Sequence, residues 1–266
     1  MHMKSIAGKI CWVTGASSGI GEALSIGLNQ RGAKVIISAR RKAELERVKK
    51  ACPSQDQVYV LPLDLAEIDS FPDKVEEAVN AFGRVDILFN NGGISQRSLA
   101  WETPLEVDRK LMEINFFGTV ALSKAILPHF MAQKQGHYLV VSSLVGKFGS
   151  PLRSSYAASK HALHGFFDSL RAEHHLDNIK VTIVCPGFIK TQVSVNALNA
   201  KGEKQNLMDD AQANGMSAEA CAQQIIRAVE KEKEEINIGG KETVGIYVKR
   251  FLPALFSRII RKAKVT

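Results

Sequence analysis

Lys9-Ile-Cys-Trp-Val-Thr14-Gly-Ala-Ser-Ser-Gly19-Ile-Gly21 is the stretch whose reading decides the fold. Its first six residues alternate and lean towards β-branched and aromatic types, which predicts a buried strand. Beyond the glycines, Ala23, Leu24, Ile26, Gly27 and Leu28 follow a helical pattern. A strand, a glycine-rich turn and a helix in that order form the opening of a dinucleotide site. Gly15 permits the tight turn, Gly19 lets the backbone approach a pyrophosphate, and Gly21 lets the helix pack closely on the strand. The helix N-terminus offers N–H groups and a positive dipole end to the phosphates. Gly15, Ser17, Ser18, Gly19, Ile20 and Gly21 are therefore cofactor-binding candidates. The turn holds more residues than the G-x-G-x-x-G fingerprint.

Moving outward, the second strand, 34–38, ends in Ala39-Arg40-Arg41. A site for NAD(H) places a carboxylate near this strand end to hold the ribose hydroxyls. No acid stands there, and a guanidinium suits a 2′-phosphate through paired, charge-assisted bonds. The expected cofactor is NADP(H), with Arg40 as the contact. Arg41 reads as a solvated residue opening the helix 42–50.

Further strands are expected near 57–61, 85–89, 137–142, 179–185 and 235–238, alternating with helical stretches. Such alternation predicts an α/β fold: a Rossmann-type, doubly wound parallel sheet of about seven strands with helices on both faces. At 266 residues the chain suits one domain over 1–240, with 241–266 as an extension. The four cysteines are scattered, without metal-type spacing, and suit a reducing cytosol. Cys11 and Cys185 fall in expected core strands.

The second informative stretch is Ser155-Tyr-Ala-Ala-Ser-Lys160, with Ser143 upstream. Residues four apart share a helix face. A phenol beside a fixed ammonium has its charged form favoured, so the Tyr156 pKa is expected to fall. Such a tyrosine trades a proton with a carbonyl or alcohol oxygen. His161 and His164 are expected to face packing or solvent. His174 and His175 lack a partner at metal spacing.

With these residues in hand the chain resembles the short-chain dehydrogenase/reductase family, from about Lys9 to Ile238. The resemblance implies a catalytic tetrad of Asn115, Ser143, Tyr156 and Lys160. The step of thirteen residues to Tyr156 selects Ser143 over Ser142. It implies that Lys160 also bonds the nicotinamide ribose and that Asn115 holds a water linking Lys160 to solvent. Asp64 matches the acid that contacts the adenine, with Leu65 beside it. Asn90-Asn91-Gly92-Gly93 resembles the family's Asn-Asn-Ala-Gly, and Gly92 departs from it at an expected cost in rigidity. Pro186, Gly187, Ile189 and Thr191 match the segment that holds the carboxamide. Arg153 to Ala162 and Ser194-Val-Asn-Ala197 are similar to the animal branch known as members seven and seven-B. Relatives there carry an N-terminal membrane anchor. Here the first strand starts within the first dozen residues, and neither a signal peptide nor a spanning helix is expected. Met1-His-Met3 reads either as native sequence or as a cloning remnant.

The stretch Gln192–Met216 is long, polar and glycine-containing, and lies where the family carries a substrate lid. Leu144, Val145, Phe148, Leu152 and Phe188 are expected around the site and favour a lipophilic substrate.

The tail 241–266 carries +6 of the chain's net charge of +8, so the body is no nucleic-acid binder. Val248, Phe251, Leu252, Leu255, Phe256, Ile259 and Ala263 fall on one helical face, with Pro253 a kink or a start. A basic amphipathic helix of this kind either lies on an anionic membrane surface or packs on the protein. The reading that emerges is a cytoplasmic oxidoreductase, peripheral to a membrane if the tail docks there. It moves hydride between NADP(H) and a small-molecule carbonyl or secondary alcohol. A homo-oligomer, dimer or tetramer, is implied by the resemblance through helices 104–131 and 154–175. A 3-oxoacyl-thioester reductase and a non-catalytic nucleotide sensor stay open as alternatives.

Overall fold

The computed structural model describes residues 5–263, and Met1-His-Met3 and Lys264 lie outside them. Strands and helices alternate through the first half: β1 Ile10–Thr14, α1 Gly19–Gln30, β2 Lys34–Ser38, α2 Lys42–Ala51, β3 Val58–Val60, α3 Phe71–Phe82 and β4 Ile87–Asn90. Then come α4 Leu105–Met112, a π-helical turn at Glu113–Phe117, α5 Gly118–Ala132, β5 Gly136–Val141, α6 Ser154–Glu173 and β6 Ile179–Pro186. The chain continues through β7 Ile189–Lys190, α7 Asp210–Ala213, β8 Met216–Ser217, α8 Ala218–Glu230 and β9 Glu235–Ile238. It closes with α9 Val244–Phe251 and α10 Pro253–Ile260.

Seven parallel strands form the main sheet in the order β3-β2-β1-β4-β5-β6-β9. The order reverses between β1 and β4. In such sheets ligands bind outside the strands' carboxyl ends at this switch point. Side chains alternate across β1: Ile10 and Trp12 join one core cluster, Cys11 and Val13 the other. The first cluster packs Phe130, Tyr138 and Phe167 beneath α5 and α6. The second packs Leu24, Leu28, Ile225 and Ile226 from α1 and α8. Both sheet faces are thus covered, as a parallel sheet requires.

The expected strands all form. The third is shorter than expected, three residues at the sheet edge, where only β2 pairs with it. All four cysteines are free and buried, and burial pushes the Cys185 thiol up to about 12.

The tail differs from a single amphipathic helix. Pro253 starts α10, and Leu252 between the helices leaves helical geometry at φ −133°, ψ 60°. The break turns the two halves differently. Val248, Phe256 and Ile260 pack against the core, with the Phe256 ring 5.0 Å from that of Phe148. Phe251, Leu252, Leu255 and Ile259 stay exposed. Among the described residues no helix is long and apolar enough to cross a membrane.

Candidate active site

One cleft of about 890 Å³ runs along the carboxyl ends of the strands, from Arg40 and Asp64 to the tail helices. At the β1–α1 turn, Gly15 sits at φ +64°, in the left-handed region that favours glycine. A Cβ on Gly21 would lie 2.2 Å from the carbonyl oxygen of Gly15. The helix therefore starts against the turn itself, and Ser17, Ser18, Gly19 and Ile20 line the cleft. The turn is held from behind. Asn91 Nδ2 donates to the carbonyls of Thr14 and Gly15 at 3.0 and 3.3 Å, while Thr14 Oγ1 accepts from the N–H groups of Asn91 and Gly92, each at 3.0 Å. Gly92 leaves room for its neighbour. A Cβ there would meet Leu65 Cδ1 at 2.7 Å, so the departure from Asn-Asn-Ala-Gly accommodates a side chain.

This cradle fits a dinucleotide, since only backbone and small residues stand where a pyrophosphate would lie. Arg40, Asp64, Leu65, Asn91, Gly92, Pro186, Gly187, Ile189 and Thr191 all line the same cleft. Arg40 is exposed there, and Arg41 is exposed beside it. Arg47, on α2, carries no signal of its role in the sequence. It donates to Glu22 at 2.6 and 2.9 Å and to the carbonyl of Ser17 at 3.1 Å, tying α2 to the turn.

Tyr156 and Lys160 lie one turn apart on α6 and line the cleft with Ser143. Burial pushes the Tyr156 phenol up. A hydrogen bond from Ser143 and the guanidinium groups of Arg153 and Arg97 pull it back down. The expected fall of the Tyr156 pKa is corrected here: burial outweighs these groups, and the phenol stands above its ordinary value. The Lys160 ammonium donates to the Val141 carbonyl at 2.8 Å and stands 5.9 Å from the tyrosine ring centre. Burial lowers the Lys160 pKa to about 8.

Ser142, the neighbour of Ser143, points away. It donates to the Lys160 carbonyl at 3.2 Å and meets His164 Nε2 at 3.0 Å. Burial holds the His164 pKa down near 4, so its approach to Glu235 at 3.8 Å is no ion pair at neutral pH. His161 hydrogen-bonds the Ala157 carbonyl of its own helix through Nδ1.

Asn115 occupies the π-helical turn, a distortion frequent at functional sites. Its Oδ1 accepts from the Ile94 N–H at 2.8 Å, and its Nδ2 donates to the Ile94 carbonyl at 2.9 Å and to Ser159 at 3.0 Å. The side chain thus braces the β4 loop against α6.

Sequence reasoning missed the residues that hold α6 in place. Gln96 Oε1 accepts from the N–H groups of Ser155 and Tyr156 at 2.9 and 3.3 Å, capping the helix start. Arg97 and Arg153 meet on Asp209, all three buried. A lone arginine after a strand carries no local signal of such a partner, which stands 112 residues away.

The stretch 192–216 closes over the cleft. It is pinned at its base by pairing of Ile189 with Met216 and Lys190 with Ser217, and at its tip by the bridge between Gln96 and Leu198. Leu144, Val145, Phe148 and Phe188 line the cleft as expected. Leu152 is not among the lining residues. It turns aside at φ +64°, and its carbonyl accepts from Ser98. In its place the tail supplies Val248, Phe256 and Ile260.

A family model described as short chain dehydrogenase matches residues 9–202. A "Dehydrogenase/reductase SDR family protein 7-like" from Anopheles gambiae is 43% identical over 98% of this chain and 84% of its own length. "Dehydrogenase/reductase SDR family member 7B" of Mus musculus is 42% identical over 93% of this chain and 79% of its own length. Human member 7 is 39% identical over 92% and 74%. Among solved structures, a short chain dehydrogenase/reductase from Burkholderia phymatum in complex with NAD superposes with a TM-score of 0.85 at 20% identity. It covers 95% of this chain and 96% of its own, and bears on the fold alone. A short-chain dehydrogenase from Streptomyces avermitilis gives 0.81 at 27% identity, with 96% of each chain covered. The chain belongs to the short-chain dehydrogenase/reductase family, oxidoreductases that work with a nicotinamide cofactor.

Proposed function

We propose that the chain interconverts a carbonyl and a secondary alcohol on a largely apolar substrate, using NADP(H). The observation that carries the reading is the meeting of Ser143, Tyr156 and Lys160 on the wall of one cleft that runs on to Arg40. When bound, the nicotinamide supplies or accepts the hydride.

Tyr156 gives a proton to the substrate oxygen in reduction and takes it in oxidation. Ser143 donates a hydrogen bond to the same oxygen, where negative charge develops. Lys160, braced on Val141, orients the nicotinamide ribose, and its charge is present below a pH of about 8. Asn115 keeps the β4 loop and α6 in register, and a water held by its backbone would return protons to Lys160. The turn Gly15–Gly21 with Asn91 and Gly92 holds the pyrophosphate, Arg40 the 2′-phosphate, and Asp64 and Leu65 the adenine. Pro186, Gly187, Ile189 and Thr191 seat the carboxamide. Phe148, Val248 and Phe256 favour an apolar substrate body.

The test is oxidation of NADPH and of NADH against ketones, quinones, steroids and acyl thioesters, with Tyr156→Phe in parallel. Turnover with NADPH that falls at least about a hundredfold in the variant, the scale of lost acid–base catalysis, is the expected result. Equal turnover by Tyr156→Phe would sink the assignment.

The tail adds a second partner. Tyr247, Phe251, Leu252 and Leu255 are exposed among Lys249, Arg250, Arg258, Arg261 and Lys262. That mixture suits the surface of an anionic bilayer. Co-sedimentation with phosphatidylserine vesicles but not with phosphatidylcholine vesicles is expected. Failure to bind either would remove this contact.

A further inference from the structure

The sheet brings two turns of the chain together beside Ser143. β6 and β9 run in parallel to the same edge, with Ile238 opposite Pro186. Each then turns at the cleft. One passes through Gly187 and Phe188 into β7, the other through Gly239 and Gly240 into the short turn Lys241–Thr243 that precedes α9. Glu242 stands in that turn and lines the cleft with Pro186, Gly187 and Phe188. It is the one acid among residues 241–266. Three glycines leave room for it. A Cβ on Gly187 or Gly239 would lie 2.5 or 2.6 Å from Glu242 Oε1, and one on Gly240 would lie 3.1 Å from Oε2.

The segment that leaves β6 is tied down peptide by peptide. The Pro186 carbonyl accepts from Ser143 Oγ at 3.4 Å, and the Gly187 N–H donates to the Ile238 carbonyl at 2.7 Å. The Phe188 carbonyl accepts from the Met216 N–H at 3.0 Å. The Phe188 N–H donates to Glu242 Oε1 at 3.3 Å. A backbone donor needs such a partner, and here a carboxylate supplies it, the stronger kind of acceptor. Ile189 follows directly, so a rotation of the Phe188 peptide would swing the groups that Ile189 presents to the cleft.

We propose that Glu242 is a positioning residue for the nicotinamide. By holding the Phe188 N–H it fixes the segment 186–191, on which the carboxamide would sit, and through it the place of the ring beside Ser143 and Tyr156. The inference rests on the assignment of that seat under the oxidoreductase reading above. Small displacements of a reacting group cost rate out of proportion to their size, so a side chain that touches neither ring nor substrate can still set how the two meet.

The test uses the full chain and two ligands. NADPH is read by the fluorescence of its dihydronicotinamide. Adenosine 2′,5′-bisphosphate, which has no nicotinamide, is read by calorimetry. Glu242→Met keeps an unbranched side chain of similar length and removes the carboxylate, whereas Glu242→Gln keeps an oxygen that can accept from Phe188. Glu242→Met is expected to raise Kd for NADPH about tenfold, the scale of a hydrogen bond to a charged group, and to leave Kd for the bisphosphate at the parent's value. Glu242→Gln is expected to recover most of that loss. Thermal unfolding confirms that the variants are folded, and Thr191→Val, run beside them, tests the seat itself. Parent-like NADPH binding by Glu242→Met, with Thr191→Val weakened, overturns the proposal and leaves the seat. An equal loss for both ligands in Glu242→Met also overturns it, because the residue would then serve the whole cradle. So does a Glu242→Gln variant as weak as Glu242→Met, which would assign the effect to charge and not to the bond at Phe188. A loss confined to NADPH in Glu242→Met, with Thr191→Val parent-like, keeps Glu242 and removes Thr191 from the seat. Parent-like binding by all the variants sinks the seat and the proposal together.

Discussion

Arg97 and Asp209, 112 residues apart, are joined inside the protein by two bonds to a single carboxylate oxygen. The first follows the central strand β4 and the second opens α7, so the pair ties the segment over the cleft to the loop after β4. Asp209→Ala would leave two buried guanidinium groups without their carboxylate. A loss of about 3–5 kcal/mol is expected, as for one partner removed from a buried ion pair. Thermal unfolding measures it, and limited proteolysis should find new cuts within 192–216. An unchanged melting temperature would show that the pair does not bear on stability.

Gly21→Ala tests the cofactor turn. The added methyl would lie 2.2 Å from the Gly15 carbonyl oxygen, which is backbone and cannot swing aside. Overpacking of this kind costs about 1–3 kcal/mol. Displacement of the turn should also weaken NADPH binding, read by fluorescence enhancement of the dihydronicotinamide. Binding equal to the parent's would mean that the turn does not touch the phosphates.

Arg40→Ser should change the choice of cofactor rather than the rate of chemistry. One charge-assisted contact to the 2′-phosphate is worth about 1.5–3 kcal/mol, so KM for NADPH is expected to rise about tenfold or more. KM for NADH should barely move. If both rise together, Arg40 supports the fold of the turn and does not read the phosphate.

His164 gives the protein an acid limit. Its folded pKa of about 4 lies below the ordinary 6.5 because burial disfavours the charged ring. Between these values the unfolded chain binds a proton that the folded chain does not, so stability falls as pH drops from 6.5 towards 4. His164→Gln should flatten this part of the melting-temperature profile. A variant profile as steep as the parent's would assign the acid limit to the carboxylates.

The sheet was legible because both cues were local. The alternation at 9–14 and the glycines at 15–21 each describe a backbone that their own neighbours dictate. Tyr156 and Lys160 were legible for the same reason, being one helical turn apart. What escaped was the support. Gln96 caps α6 from 59 residues away, and Arg97 and Arg153 find Asp209 only once the chain has folded. Polar side chains carry no periodicity, so long-range polar pairs leave no trace in a pattern of apolar residues. In the tail the helical period runs unbroken through Leu252, and of the two roles open to Pro253, a kink or a start, the structure takes the start, of a second helix.

That Phe256 closes the reacting cleft from the last helix has a consequence for how the protein diversifies. The catalytic side chains are fixed by the sheet and by α6, which tolerate little change. Helices α9 and α10 add side chains to the cleft without taking part in the sheet. Their sequence can drift or be replaced while the machinery upstream stays intact, and each such change redraws the apolar wall against which a substrate is chosen. Among relatives that share the same chemistry, preference for one molecule over another is expected to track the final two helices more closely than the residues around Tyr156.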